Sequence, residues 1–188
     1  MRTLLAWLDK LSSKPAVLGL SVLAAFLLQT SVFTHLAVLG VKPDLLMVVV
    51  ACWGLLYGPR AGFVAGMVTG LAQGVMLGQY IGLFALVKAL VGFAVGVVES
   101  KIFKENIWVP TVAVGAAVLA HEFLVWLCLK VLGVPTPAVT ILTVAVPGSV
   151  YSMLAAPLAY RQLFLYNVAE RAREESVAGG AGQATARR

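Results

Sequence analysis

Charge is scarce in this chain, and so are the residues from which most catalytic sites are built. Only 12% of the 188 residues are Asp, Glu, Lys or Arg, where a soluble domain carries about 25%. There are two cysteines, Cys52 and Cys128, and both fall inside apolar runs. That placement excludes a disulfide framework or a paired-cysteine metal motif and leaves them as small buried hydrophobes. No Ser, His and Asp triad, no pair of catalytic acids and no phosphate-binding glycine loop occurs, and the His121-Glu122 doublet lacks the second His of a zinc-protease motif. No enzymatic activity, cofactor or metal is therefore expected. A cleavable signal peptide is not expected either, because the first long apolar run starts after Lys14 and no soluble domain follows it.

What the chain has instead is apolar sequence: 61% hydrophobic residues and a mean hydropathy of +0.95. This composition predicts an all-α, polytopic transmembrane helical bundle of about six spans. The net charge of +6 would raise nucleic-acid binding for a soluble domain. Here the aromatic-and-basic interleaving of such sites is missing, and the Lys and Arg residues lie between apolar runs, where they fix orientation in the membrane.

Three regions follow. Residues 1–14 read as an amphipathic helix lying in the membrane surface, with Leu4, Leu8 and Leu11 on one face. Residues 15–160 form the transmembrane domain. Residues 161–188 form a charged cytoplasmic tail, disordered from about residue 178, where Gly, Ala, Gln, Thr and Arg dominate. Within the domain, Ala16 to Phe33 is uncharged over eighteen residues and makes the first span. Leu45 to Tyr57 has only thirteen residues, about 20 Å of helix against a hydrocarbon core of about 30 Å. Gly58, Pro59 and Arg60 turn the chain into Ala61 to Leu77, so these two segments read either as short spans or as a re-entrant hairpin. Ile81 to Val98, Ile107 to Leu132 and Ala138 to Tyr160 complete the set, the last kinked at Pro147 and Pro157. With six crossings, eleven Lys and Arg fall on one side, Lys42 and Lys130 on the other, and Lys88 inside a span. The excess puts both termini in the cytoplasm.

Glycine recurs at every fourth position from Gly54 to Gly82. Four residues advance about 400° around a helix, so Gly62, Gly66, Gly70, Gly74 and Gly78 form a slanted packing groove. Small-xxx-small rows let helix backbones approach closely in lipid. The third segment is accordingly expected to be the central packing element, its groove filled by a helix of the same chain or by a partner's transmembrane helix.

Three ionisable residues sit near the middle of predicted spans: Lys88 in the fourth, His121 and Glu122 in the fifth. Charge at that depth needs a partner, and Lys88 with Glu122 is the expected pair. A structural or partner-binding role is favoured over proton or ion transfer, because a pump shows several relayed acids and Glu122 is the one carboxylate placed deep in a span. Gln29, Thr30, Gln73 and Gln79 are read as interhelical hydrogen-bonding groups.

Several short motifs resemble those of the rod shape-determining protein MreD family. They are Lys42-Pro43-Asp44-Leu45-Leu46, Tyr57-Gly58-Pro59-Arg60-Ala61-Gly62, Gly70-Leu71-Ala72-Gln73, Ile81-Gly82-Leu83-Phe84-Ala85-Leu86, Phe103-Lys104-Glu105-Asn106 and His121-Glu122-Phe123-Leu124. Their order covers roughly residues 15–165. Gly74 and Phe84 stand where many members carry polar residues, so no role of those groups transfers. The resemblance implies a non-enzymatic scaffold of the bacterial elongasome in the cytoplasmic membrane, in contact with lipid. It would bind the single-span protein MreC, acting indirectly on MreB and wall synthases to control cell shape and lateral peptidoglycan synthesis. It also implies a helical core similar to that of energy-coupling factor transporter S components. The alternative function is therefore the substrate-binding membrane subunit of a vitamin transporter, for which the first span offers only Ser21 and Ala25 as a docking row. A small-molecule ligand is otherwise not expected. Partner contact is expected at Lys42, Pro43, Asp44, Leu45, Gln79 and Tyr80.

Overall fold

The computed structural model describes residues 16–32, 41–98, 108–139 and 141–186, and among them it is helical throughout with short connections. The expected surface helix at residues 1–14 and the Phe103-Lys104-Glu105-Asn106 motif lie outside the described residues. Helix α1 is Ala16–Ser31, its last turn widened into a π-helix over Leu28–Val32. Then follow α2 (Leu45–Tyr57), α3 (Pro59–Leu77), α4 (Ile81–Val98), α5 (Trp108–Val131) and α6 (Val146–Ala186), the last entered through a π turn at Ile141–Ala145.

Four segments are long and apolar enough to cross a membrane: Pro59–Leu77, Ile81–Val98, Pro110–Val131 and Ile141–Glu170. The expected set of about six thus resolves into four full-length helices and two shorter ones, Ala16–Ser31 and Leu45–Tyr57. Pro157 lies within α6, and Pro147 stands in its first turn, directly after the π turn. Helix α6 runs on to Ala186, across the segment expected to be disordered. Alanines 178, 181, 184 and 186 favour that conformation, and Gly179, Gly180 and Gly182 oppose it.

The centre of the bundle is α2 rather than α3. Every residue from Leu45 to Leu56 is buried, as befits a helix that is apolar all round. Helix α3 buries only Gly62, Ala65, Gly66, Thr69, Gly70 and Gly74. Its other side leaves Phe63, Val64, Leu71 and Val75 exposed, a face suited to lipid. The glycine ladder marks one tight contact, not a helix surrounded by neighbours, and that is where the sequence expectation of a central third segment fails.

That contact is with α4, and backbone meets backbone. A Cβ built at Gly62 would fall on the Gly92 carbonyl, one at Gly66 on the Lys88 carbonyl, one at Gly70 on Ala85, and one at Gly74 on Ile81. Gly92 and Gly96 answer from α4, against Gly62 and Pro59. The groove is therefore filled from within the chain. Gly78 is not part of it: with φ 68° it caps α3 in the left-handed conformation. Between α2 and α3, Gly58 alone makes the turn at φ 87°, its N–H donating to the Gly54 carbonyl, and Pro59 starts the next helix.

Candidate functional site

Helix α2 begins inside the bundle, and the polar groups gather there. Lys88 lies about 10 Å along α4 from its start and about 15 Å from its end, counting 1.5 Å per residue. Asp44, at the N-cap of α2, reaches the same level: its Oδ2 accepts from Lys88 Nζ at 2.5 Å. Both residues are buried, Lys88 completely. The expected pair of Lys88 with Glu122 is thus replaced by Lys88 with Asp44. Asp44 stands at the end of a helix in sequence yet in the middle of the bundle in space.

A helix start buried this deep leaves backbone N–H groups that lipid cannot satisfy. Three of the N–H groups at this end have side-chain partners. Asp44 Oδ1 accepts from the Met47 N–H at 2.9 Å, a side-chain cap. Gln29 Oε1 of α1 accepts from the Leu46 N–H at 3.4 Å. The Ser152 hydroxyl of α6 accepts from the Asp44 N–H at 3.0 Å and donates to the Gly148 carbonyl at 2.8 Å. The carboxylate also lies at the positive end of α2's dipole, which favours its charge.

His121 completes the cluster from α5. It sits on that helix's inward stripe with Val114, Ala117, Val118 and Val125, and is 1% exposed. Its Nδ1 is 3.7 Å from Asp44 Oδ2 and 3.5 Å from Glu122 Oε1. Neither ring nitrogen has a hydrogen-bond partner. Glu122, one position on and about 100° around the helix, has a side chain 34% exposed. It lines a small cavity of about 100 Å³ with Trp126 and Thr136 among others, while Lys130 holds its ammonium 4.7 Å over the Trp126 ring. Asp44, His121 and Glu122 could each offer one metal-ligand atom, all within 4.8 Å of one another. The Lys88 ammonium already on Asp44 Oδ2 and the Met47 N–H on Oδ1 make this a poor cation site.

Of the residues expected at a partner surface, Pro43, Asp44 and Leu45 are buried, whereas Lys42, Gln79 and Tyr80 are exposed. Gln29 bonds across helices, Thr30 bonds back to Phe26 of its own helix, and buried Gln73 Oε1 has no hydrogen-bond partner. Ser152 and the central role of Asp44 were missed. A signal for Asp44 existed: an Asp immediately before an apolar helical run is an N-cap pattern, and a thirteen-residue helix is too short to bring both ends to the membrane surfaces.

A second feature lies between α4 and α5. An apolar groove of about 490 Å³ runs there, lined by Leu90, Ala94 and Val98 on one side and Ala113, Ala116 and Ala120 on the other, with no polar side chain in its lining.

A family model for the rod shape-determining protein MreD matches residues 12–167. The chain belongs to the rod shape-determining protein MreD family. No curated protein and no solved structure matches it significantly. Membership makes the chain a cell-shape protein of the elongasome, in a family of structural determinants rather than known enzymes. With four membrane-length apolar helices, it is a multi-pass inner-membrane protein.

Proposed function

We propose that the chain acts as a membrane scaffold that receives the transmembrane helix of MreC and, through it, takes part in directing lateral wall synthesis. The observation that carries this reading is the α4–α5 groove. It is apolar throughout, open at the side of the bundle, and floored by Ala113, Ala116 and Ala120, a small-residue row of the kind that lets a second backbone approach. The α3 ladder is no longer available for this purpose, because α4 fills it. In this reading Lys42, Gln79 and Tyr80 form a secondary contact at the outer ends, and both termini face the cytoplasm.

The transporter alternative has less support. A vitamin-sized ligand needs a cavity of about 300 Å³ or more with converging polar groups. Among the described residues, the 490 Å³ groove has no polar side chain in its lining, and the cavity beside Glu122 is about 100 Å³. Co-purification with MreC tests the proposal. Ala116→Phe and Ala120→Phe, at exposed positions, should fill the groove, lower MreC recovery severalfold and leave the chain folded. Unchanged recovery with both would move the partner off this face, and saturable vitamin binding would sink the scaffold reading.

A further inference from the structure

Counting the partly exposed Glu122 with the buried Asp44 and Lys88, the cluster is one positive charge short. Lys88 supplies one cation against two carboxylates, Asp44 and Glu122, and among the described residues the next charged group along α5, Lys130, is held over Trp126. Around His121, α2 presents Asp44, α4 presents Lys88, α5 presents Glu122, and α6 presents the uncharged Ser152 hydroxyl bonded to the Asp44 N–H. Among the described residues the group placed to supply the missing charge is His121, whose Nδ1 faces both carboxylates at 3.7 and 3.5 Å and has no hydrogen-bond partner.

We propose that Asp44, Lys88, His121 and Glu122 form a binding site for a single proton, held between His121 Nδ1 and Glu122 Oε1, that closes α5 against the start of α2. Two arrangements are equivalent in charge: an imidazolium donating to the Glu122 carboxylate, or a Glu122 carboxyl donating to the neutral ring. Each leaves the cluster neutral, which is the state a membrane interior favours. A divalent cation in the same place would meet the Lys88 ammonium on Asp44 Oδ2. Glu122 is the partly exposed member, and its cavity reaches Thr136 and Ile141 in the connection to α6, so the proton exchanges from that end. When it leaves, the site carries a net negative charge, and Glu122 turns toward the cavity and water. The contact of α5 with Asp44 then loosens, and with it the point where α2, α4 and α6 are joined.

The test uses the full chain in lipid nanodiscs with ¹⁵N-labelled histidine. The sequence has two histidines, so His35→Gln assigns the His121 signal, while infrared difference spectra read a protonated carboxyl. At neutral pH we expect one proton in total: either a charged His121 ring or a carboxylic-acid band that Glu122→Gln removes. Glu122→Gln and Asp44→Asn each remove one negative charge and should leave a neutral His121 ring. A folded wild-type chain with a neutral ring and an ionised Glu122 overturns the proposal without reference to any variant. Stoichiometric zinc, retained on purification and lost in Glu122→Gln, overturns it in favour of a metal site.

Discussion

Two parts of this bundle are held together in opposite ways. Between α3 and α4 the side chains are missing, and glycines bring the two backbones into contact along Gly62, Gly66, Gly70 and Gly74. Where α2 starts, side chains do the joining: Lys88, His121, Ser152 and Gln29 converge from four helices on Asp44 and the first turn of α2. The seam is dry and tolerates no added atom. The cluster is polar and tolerates shape change but not an unmatched charge. Each predicts its own response to substitution.

The largest effect belongs to the seam. Gly66→Val places methyl groups onto the Lys88 carbonyl and the Ala89 backbone, neither of which can yield without parting the helices. Overpacking of a tight core costs about 1 to 3 kcal/mol and occasionally more; this site should lie at or above that range, read as loss of folded monomer on detergent extraction. Next is Lys88→Met, which leaves Asp44 buried without its cation. Breaking a buried pair costs about 3 to 5 kcal/mol. The double variant Lys88→Met, Asp44→Asn should recover a good part of that in thermal unfolding. If the double variant is no better than the single, Lys88 matters for its packing and the comparison collapses.

Smaller effects sharpen the contrast. Ser152→Ala removes the acceptor of the Asp44 N–H and should cost about 1 to 3 kcal/mol, the usual penalty for one buried unsatisfied group. Gly82→Ala should be close to neutral, because nothing lies within 4 Å of a Cβ there. Gly74→Ala, two steps back on the same ladder, should destabilise measurably. Comparable melting temperatures for these two variants would mean that the ladder's spacing, not its contact with α4, is what matters.

The difference also explains how much could be read in advance. A seam made by consecutive residues of one helix is written as a period, so Gly62 to Gly74 announced a close contact, and the thirteen-residue length of α2 was plain. The identity of the opposing helix was not, since Gly92 and Gly96 do not make a conspicuous run by themselves. The cluster is scattered over residues 29, 44, 88, 121 and 152, and no local pattern links them. Charge at mid-span flagged Lys88, His121 and Glu122. Pairing depends on which helix ends inside the membrane, so Asp44 passed for a residue at the surface. The centrality of α2 was hidden for a related reason: an apolar segment looks alike whether lipid or protein covers it.

The shortness of α2 bears on how the chain is made as well as how it is held. Thirteen residues led by an aspartate make a weak membrane-insertion signal, and the tight reversal at Gly58 delivers the segment together with α3. Asp44 receives its cation only when α4 follows, forty-four residues later. During synthesis the innermost helix therefore waits for chain not yet made: its carboxylate for Lys88 of α4, and the Asp44 N–H for the Ser152 hydroxyl of α6.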